Sequence, residues 1–168
     1  MKNNRNGQAA ILTDVDYSKI RKQIRSQKYK LLLDLAWYTG ERWGALVKLQ
    51  LLDVYNLDGS PCEYINFRAR TRKATPNGKR LTRQVPVHHT LDELLAAYKP
   101  LPGSIWLFPS RIADKAMSLR AADQILRTAV SRISSQGHIN SFHPPNLYYP
   151  TGKARREFSN HQKSHWPH

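Results

Sequence analysis

Apolar positions in the first part of the chain recur at helical spacing. Thr13 or Asp14 can cap a helix that extends to about Ser26. Its apolar positions are Val15, Ile20 and Ile24. A denser apolar stripe over residues 28–38 predicts a second helix in the core, and Gly40 is expected to end it.

The period of the pattern changes after a third predicted helix over residues 43–49. Residues 63–72 alternate apolar with polar or charged side chains, which predicts a strand. Residues 75–78, Thr-Pro-Asn-Gly, form a turn sequence, and Asn-Gly is the strongest short signal for a hairpin. Residues 81–87 return as the partner strand, so this region is predicted to be a β-hairpin with a cationic outer face.

Two further helices are predicted after the hairpin. The first covers residues 92–98 and ends before a pair of prolines. After a brief apolar segment, residues 105–109, Ser118 can cap a last helix over residues 119–134.

The two ends of the chain lack these patterns. Residues 1–11 are polar and rich in asparagine, which predicts a disordered lead-in without a signal peptide. Residues 138–168 contain five of the seven histidines and a single acid, Glu157. A basic tail that binds DNA or metal is one hypothesis for this segment, and an unstructured tail is the interpretation that we favour.

Composition narrows the class of partner. The chain has 168 residues, which suits one domain, and 40% of them are hydrophobic. A net charge of +15 attracts polyanions, of which nucleic acid is the commonest, although charge can also serve solubility alone. No apolar run approaches the ~18 residues of a membrane span. The single cysteine, Cys62, excludes an internal disulfide and a Cys-based zinc site, and we expect a cytoplasmic protein.

One arginine directly follows the Thr-Gly break that ends the second predicted helix. Residues 38–42, Tyr-Thr-Gly-Glu-Arg, with Leu46 four residues beyond, resemble the first arginine box of the tyrosine recombinase (phage integrase) family. Later motifs occur in the family's order: a basic hairpin that ends in Val-Pro-Val at residue 87, a short helix, and Leu-Phe-Pro at residues 107–109. The resemblance covers roughly residues 12–137.

This resemblance implies a fold, an activity and a set of partners. The fold is an α+β domain, mostly helical with a small antiparallel β-sheet, followed here by a disordered tail. Family members cleave and rejoin DNA through a tyrosine nucleophile, with two arginines and usually a histidine at the phosphate and a lysine as general acid. They need no metal or nucleotide cofactor. Their partner is double-stranded DNA, on which homo-oligomers form, and no membrane is involved.

Transferred residue by residue, the resemblance assigns two catalytic candidates. Arg42 corresponds to the first phosphate-binding arginine, although pairing with Glu41 or Asp53 is an alternative role. Lys73 corresponds to the hairpin lysine, with Lys79 as its competitor, and a solvated phosphate contact is the alternative for either. The expected DNA-binding residues, as sequence-independent phosphate contacts, are Arg68, Arg70, Arg72, Lys79, Arg80 and Arg83.

The chain also departs from the family pattern. Ala45 stands where the family usually has an acid, and Asn140 and His143 occupy the expected positions of a second His-x-x-Arg box. No nucleophile is identified, because Tyr148 and Tyr149 lie in unpatterned sequence. We therefore expect an inactive or partial recombinase, with a non-catalytic nucleic-acid-binding module as the alternative and an unrelated RNA-binding protein as a third hypothesis. One further hypothesis is that a shifted reading frame produced the sequence from about residue 143.

Overall fold

The computed structural model describes residues 12–71, 77–111 and 115–134. Within these ranges the helices are α1 (Asp14–Gln23), α2 (Gln27–Thr39), α3 (Trp43–Leu46), α4 (His89–Ala97) and α5 (Leu119–Ser134), and the strands are β1 (Tyr64–Phe67) and β2 (Arg83–Pro86). Two short 3₁₀ helices cover Leu51–Asp53 and Ala69–Thr71. The predicted combination of helices with a small antiparallel sheet, the α+β class, is confirmed.

Helix α1 begins at a capping box formed by Thr13, one of the two predicted cap residues, and Asp16. The Asp16 amide donates to the Thr13 hydroxyl (3.2 Å), and the Asp16 carboxylate accepts from the Thr13 amide (3.1 Å). Ile20 and Ile24 are buried as expected. Val15, the third apolar position of this helix, is 60% exposed, because the buried face of the helix lies on the side of Ile20.

Helix α2 is the central element of the fold. Six consecutive residues, Leu31 to Ala36, are buried, and α2 contacts α1, α3 and α4. The predicted end at Gly40 is confirmed. Gly40 has φ +65°, which glycine adopts without steric penalty, and its amide donates to the Ala36 carbonyl (3.1 Å).

The third helix is shorter than predicted. Helix α3 ends at Leu46, after which the backbone pairs with a distant apolar segment. The Leu107 amide donates to the Leu49 carbonyl (3.0 Å), and the Leu51 amide donates to the Ile105 carbonyl (2.9 Å). These backbone groups are therefore unavailable for further helical turns.

Strands β1 and β2 form the predicted antiparallel hairpin. Ile65 and Phe67 are fully buried, and Phe67 lies opposite Arg83 in the register. Both strands are shorter than predicted. Strand β1 ends at Phe67, because the chain enters the 3₁₀ turn Ala69–Thr71 one residue later. We call β1, β2 and residues 68–71 and 77–82 the basic ribbon; the rest of its turn, residues 72–76, lies outside the described residues.

The last two helices agree with their predicted positions. Helix α4 begins slightly earlier than expected because the His88 ring caps it, accepting a hydrogen bond from the Thr90 amide (3.2 Å). The predicted cap of α5 is confirmed, since the Ser118 hydroxyl accepts from an amide in its first turn (3.1 Å). Leu107 and Phe108 between these helices have no exposed surface. One hydrophobic cluster includes side chains from all five helices and both strands.

A buried carboxylate fastens α1 to α2. Asp34 is 1% exposed and accepts hydrogen bonds from the Tyr17 hydroxyl (2.6 Å) and from two nitrogens of Arg21 (2.8 and 3.0 Å). Burial, followed by the Asp34 charge, raises the pKa of the Tyr17 phenol. The Tyr17 ring also stacks on Trp37, with centroids 4.7 Å apart. Three donors thus replace the hydration that the carboxylate loses.

Several sequence predictions fall outside the described residues. They concern the disordered lead-in, 1–11, and the unpatterned tail, 138–168, so the domain boundary near residue 137 stays a prediction. In the three described ranges, no helix combines the length and apolar character that crossing a membrane requires. Cys62 is half-buried, and its thiol donates to the Asn56 side-chain oxygen at 3.3 Å.

Replacing Asp34 tests the α1–α2 fastening. We expect Asp34→Asn to lower the free energy of unfolding by about 2–3 kcal/mol, because two charge-assisted bonds and the bond from Tyr17 are weakened. Arg21 is 30% exposed, so water can solvate the charge that is left without its partner. The loss of unfolding free energy is therefore smaller than when a fully buried ion pair is broken. Urea unfolding measures the change. The control is Glu93→Gln, at an exposed position of α4, whose free energy of unfolding should lie within about 0.5 kcal/mol of wild type. If both variants changed the free energy of unfolding equally, Asp34 would not fasten α1 to α2.

The raised pKa of Tyr17 predicts a loss of stability at alkaline pH. The phenol is neutral in the folded protein at pH values where it ionises in the unfolded chain, so its contribution is complete below about pH 10 and declines above it. Tyr17→Phe should reduce the slope of unfolding free energy against pH above about pH 10. The reduction is at most about 1.4 kcal/mol per pH unit, because a single group can change the number of bound protons by no more than one. A slope in Tyr17→Phe equal to that of wild type would contradict this contribution of the Tyr17 phenol.

Candidate nucleic-acid interface

The turn that carries Arg42 is built by its neighbours. The buried Thr39 hydroxyl donates to the Leu35 carbonyl (2.6 Å) and accepts from the Glu41 amide (3.2 Å), so one side chain links the end of α2 to the turn. Gly40 reverses the chain direction between them. The Thr-Gly pair of the sequence motif therefore has a structural role, which is to set the direction in which the chain leaves α2.

Arg42 lies at the surface on a fixed backbone. Its carbonyl accepts hydrogen bonds from the Ala45 and Leu46 amides (2.9 and 3.1 Å), and both of those residues are buried. Its side chain is exposed and has no hydrogen-bond or ion-pair partner among residues 12–71, 77–111 and 115–134. The guanidinium is thus available to an external anion at this point of the surface.

Glu41, next to Arg42, is a buried acid that pairs with the basic ribbon. It is 6% exposed, and its Oε1 atom lies 2.8 Å from Nη1 of Arg83, the first residue of β2. The ion pair connects the Arg42 turn directly to the ribbon. Glu41 therefore pairs with a ribbon arginine, in addition to being the alternative partner that the sequence offers for Arg42.

A second buried acid holds the other strand of the ribbon. Asp53 is 3% exposed and lies 2.8 Å from Nε of Arg68, which directly follows β1. Its other oxygen accepts from the Gln50 amide (2.9 Å). Since Phe67 lies opposite Arg83, both ion pairs are at the same end of the ribbon, the end nearer the turn. Together they bind that end to the helical body.

The five predicted DNA-binding residues that the structure describes therefore divide into two groups. Arg68 and Arg83 keep 29% and 40% of their side-chain surface exposed but are engaged by buried carboxylates. Arg70, Lys79 and Arg80 are exposed. Arg70 lies on the 3₁₀ turn rather than on the strand that the alternating pattern had predicted.

Two predicted residues, Arg72 and the catalytic candidate Lys73, lie outside the described residues. The role of Lys73 as the hairpin lysine thus stays a prediction. Its competitor Lys79 is exposed on the other side of the turn. Across the ranges that the structure describes, no group of three or more His, Cys, Asp or Glu side chains could hold a metal ion.

Sequence reasoning did not identify Glu41 and Asp53 as residues that position the ribbon. The pairs join residues 42 and 15 positions apart along the chain, so local spacing gives no signal for them. The available indication was the scarcity of acids, 12 against 27 lysines and arginines. An acid in an apolar context of such a chain is expected to have a cationic partner.

The Glu41–Arg83 pair can be tested against a matched arginine of the same ribbon. Arg83→Gln should lower the free energy of unfolding by about 1–2 kcal/mol, because the buried Glu41 carboxylate loses a charged donor. Arg80→Gln removes an equal charge from an exposed site and should change stability by less than about 0.5 kcal/mol. Urea denaturation of both variants measures the difference. If both unfold at the same urea concentration, the ion pair does not hold the ribbon.

No protein-family model matches the sequence, and the search of curated proteins gives no match.

Proposed function

We propose that this chain is a partial tyrosine-recombinase-like catalytic domain that binds duplex DNA, with Arg42 at a backbone phosphate. The observation that carries the proposal is the exposed Arg42 on a fixed turn, beside a buried acid that brings the basic ribbon to the same place. The order of elements supports it. A helix, the Thr-Gly-Glu-Arg turn, a basic antiparallel ribbon and a short helix follow one another as in the family.

The chemistry of Arg42 suits a phosphodiester ligand. A guanidinium offers a planar fork of donors that matches two phosphate oxygens, and it stays charged at any physiological pH. Its backbone is fixed by two hydrogen bonds to buried residues, so only the side chain has to become ordered when an anion binds. Phosphoryl transfer requires cationic donors of this kind around the reacting phosphate.

The exposed cations of the ribbon extend this surface. Arg70, Lys79 and Arg80 occupy the side of the ribbon near its turn, the end that the two ion pairs hold against the body. We infer that they contact phosphates flanking the one bound by Arg42. Such contacts are independent of sequence and lose affinity as salt rises, because they release counterions from DNA.

In this proposal the chain binds DNA but lacks some of the family's catalytic residues. Lys73 is its candidate general acid by resemblance, and a second arginine and a tyrosine nucleophile are not identified in the sequence. Ala45, where the family has an acid, is buried among apolar residues and supplies no carboxylate. We therefore propose a partial form that holds DNA without completing strand exchange.

The salt dependence of DNA binding tests the role of Arg42. Arg42→Ala should lower the slope of log K against log salt by about 0.9, the value for one phosphate contact, while duplex binding persists. Arg80→Ala should give a similar decrease, and Glu93→Gln, on α4, should give none. Fluorescence anisotropy with a labelled duplex measures all three. A complete loss of binding in Arg42→Ala would make Arg42 a residue of the fold rather than a single phosphate ligand.

Two further measurements separate the proposed partial recombinase from a complete enzyme and from an RNA-binding protein. On a nicked suicide duplex the chain should form no covalent adduct, and an adduct that Arg42→Ala abolishes would show a retained nucleophile and a complete enzyme. A structured RNA of equal length serves as competitor. Equal or tighter binding of that RNA would contradict the assignment to duplex DNA.

A further inference from the structure

The turn of the basic ribbon contains an Asn-Gly pair that the proposed phosphate contacts do not use. Asn77 and Gly78 are both exposed, and Gly78 has φ +75°, a left-handed conformation that glycine adopts readily. Apart from its two chain neighbours, no atom of the described residues lies within 4 Å of the position that a Cβ would take on Gly78. The peptide bond between the two residues therefore lies in an uncrowded, solvent-exposed part of the turn.

The Asn77 side chain and the Gly78 backbone amide are also free of hydrogen bonds within residues 12–71, 77–111 and 115–134. The side-chain amide of Asn77 can thus rotate until its carbonyl carbon meets the Gly78 nitrogen. Because glycine has no Cβ, it gives less steric resistance to closing a ring between these two atoms than any other following residue would.

The other two asparagines in the described ranges lack this combination of features. Asn56 donates through its side-chain amide to the Ser60 hydroxyl (3.0 Å) and to the Pro61 carbonyl (3.3 Å). Asn66 lies in strand β1 and is followed by Phe67, whose side chain is fully buried. In the part of the chain that the structure describes, an exposed asparagine without a hydrogen bond precedes glycine only in the ribbon turn.

We propose that Asn77–Gly78 is a spontaneous deamidation site whose product weakens DNA binding by the ribbon. The Gly78 nitrogen loses its proton to hydroxide and attacks the side-chain carbonyl carbon of Asn77. A C–N bond forms, the side-chain nitrogen leaves as ammonia, and a succinimide ring results. Water then opens the ring at either carbonyl, which gives aspartate or isoaspartate. The rate rises with pH, because the attacking nitrogen must first lose its proton.

The product places a carboxylate on a surface of cations. Residues 68–83 contain no acid, and Lys79 and Arg80, which follow the Asn-Gly pair, are exposed. Either product lowers the net charge of +15 by one and puts negative charge where phosphates are proposed to bind. Isoaspartate also lengthens the backbone of the turn by a methylene group. The effect on DNA binding rests on the proposed function, whereas the deamidation itself does not.

Mass spectrometry of the folded protein, incubated in mildly alkaline buffer, tests the modification. A second Asn-Gly pair, Asn6–Gly7, lies outside the described residues and serves as a reference within the same sample. Incubation continues until most of Asn6 has been converted. We expect the peptide that contains Asn77 to be converted to a comparable extent, while Asn56 and Asn66 stay intact. If Asn77 stays intact as well, the turn protects its amide and the proposal is overturned.

Fluorescence anisotropy with a labelled duplex measures the effect on binding. We expect wild type with converted Asn77 to bind about threefold more weakly than fresh protein, because a carboxylate on the ribbon repels phosphates. Asn77→Asp, without incubation, should show a similar loss. The matched control is Asn77→Gln, which keeps a neutral amide but would have to close a larger ring. After incubation it should bind as its fresh form does, although its Asn6 has been converted.

The outcomes separate a failure of this proposal from a failure of the proposed function. Equal affinity of converted and fresh wild type would overturn the proposed effect on DNA binding, and so would an equal loss in incubated Asn77→Gln. Urea unfolding verifies that the variants and the incubated protein keep the fold. If fresh wild type binds no duplex, the proposed function fails and the effect on binding fails with it. A failure of the modification alone leaves an intact Asn77 in a protein that binds DNA.

Discussion

Pairing each buried carboxylate with an arginine is the constraint on which this structure depends. Asp34, Glu41 and Asp53 are at most 6% exposed, and each has an oxygen 2.8 Å from an arginine nitrogen. A carboxylate can leave water only where donors replace its hydration, so each buried acid requires its arginine at one place. The first pair sets α1 on α2. The other two set both strands of the basic ribbon against the helical body.

The same constraint sorts the cations of the chain by role. An arginine that compensates a buried acid is restricted in position and has part of its charge cancelled, as Arg68 and Arg83 show. Exposed arginines such as Arg42 and Arg80 retain their full charge for an external anion. Net charge alone does not distinguish these groups. A surface assigned from all arginines of the ribbon therefore includes two, Arg68 and Arg83, whose charge is partly cancelled by buried acids, and it omits those acids, Glu41 and Asp53.

Local signals in the sequence were sufficient for most of the helices. The cap at Thr13, the left-handed glycine at position 40 and the cap at Ser118 each act within one turn, so their effects can be read from neighbouring residues. The predicted bounds were wrong where backbone groups that are far apart in the sequence form hydrogen bonds with each other. Helix α3 ends early because residues 49 and 51 pair with residues 107 and 105.

The ribbon shows the same limit on prediction from local sequence. Its antiparallel pairing followed from alternation and the Asn-Gly signal, but β1 ends at Phe67, where Arg68 is drawn to Asp53 and the Thr71 hydroxyl donates to the Arg68 carbonyl (2.9 Å). Arg42 was predicted from a motif that is entirely local, and its role stays a proposal. Its supporting pair, Glu41 with Arg83, joins positions 42 residues apart, which no periodicity encodes.

That supporting pair also resolves an electrostatic difficulty in the proposed site. A carboxylate beside a phosphate-binding arginine would repel the phosphate and compete for the guanidinium, and Glu41 directly precedes Arg42. Its burial and its bond to Arg83 direct the carboxylate inward and cancel its charge against a residue of the ribbon. The adjacent acid thus strengthens the site rather than weakening it. It anchors the turn and the ribbon together, and the guanidinium of Arg42 is left facing solvent with its charge available.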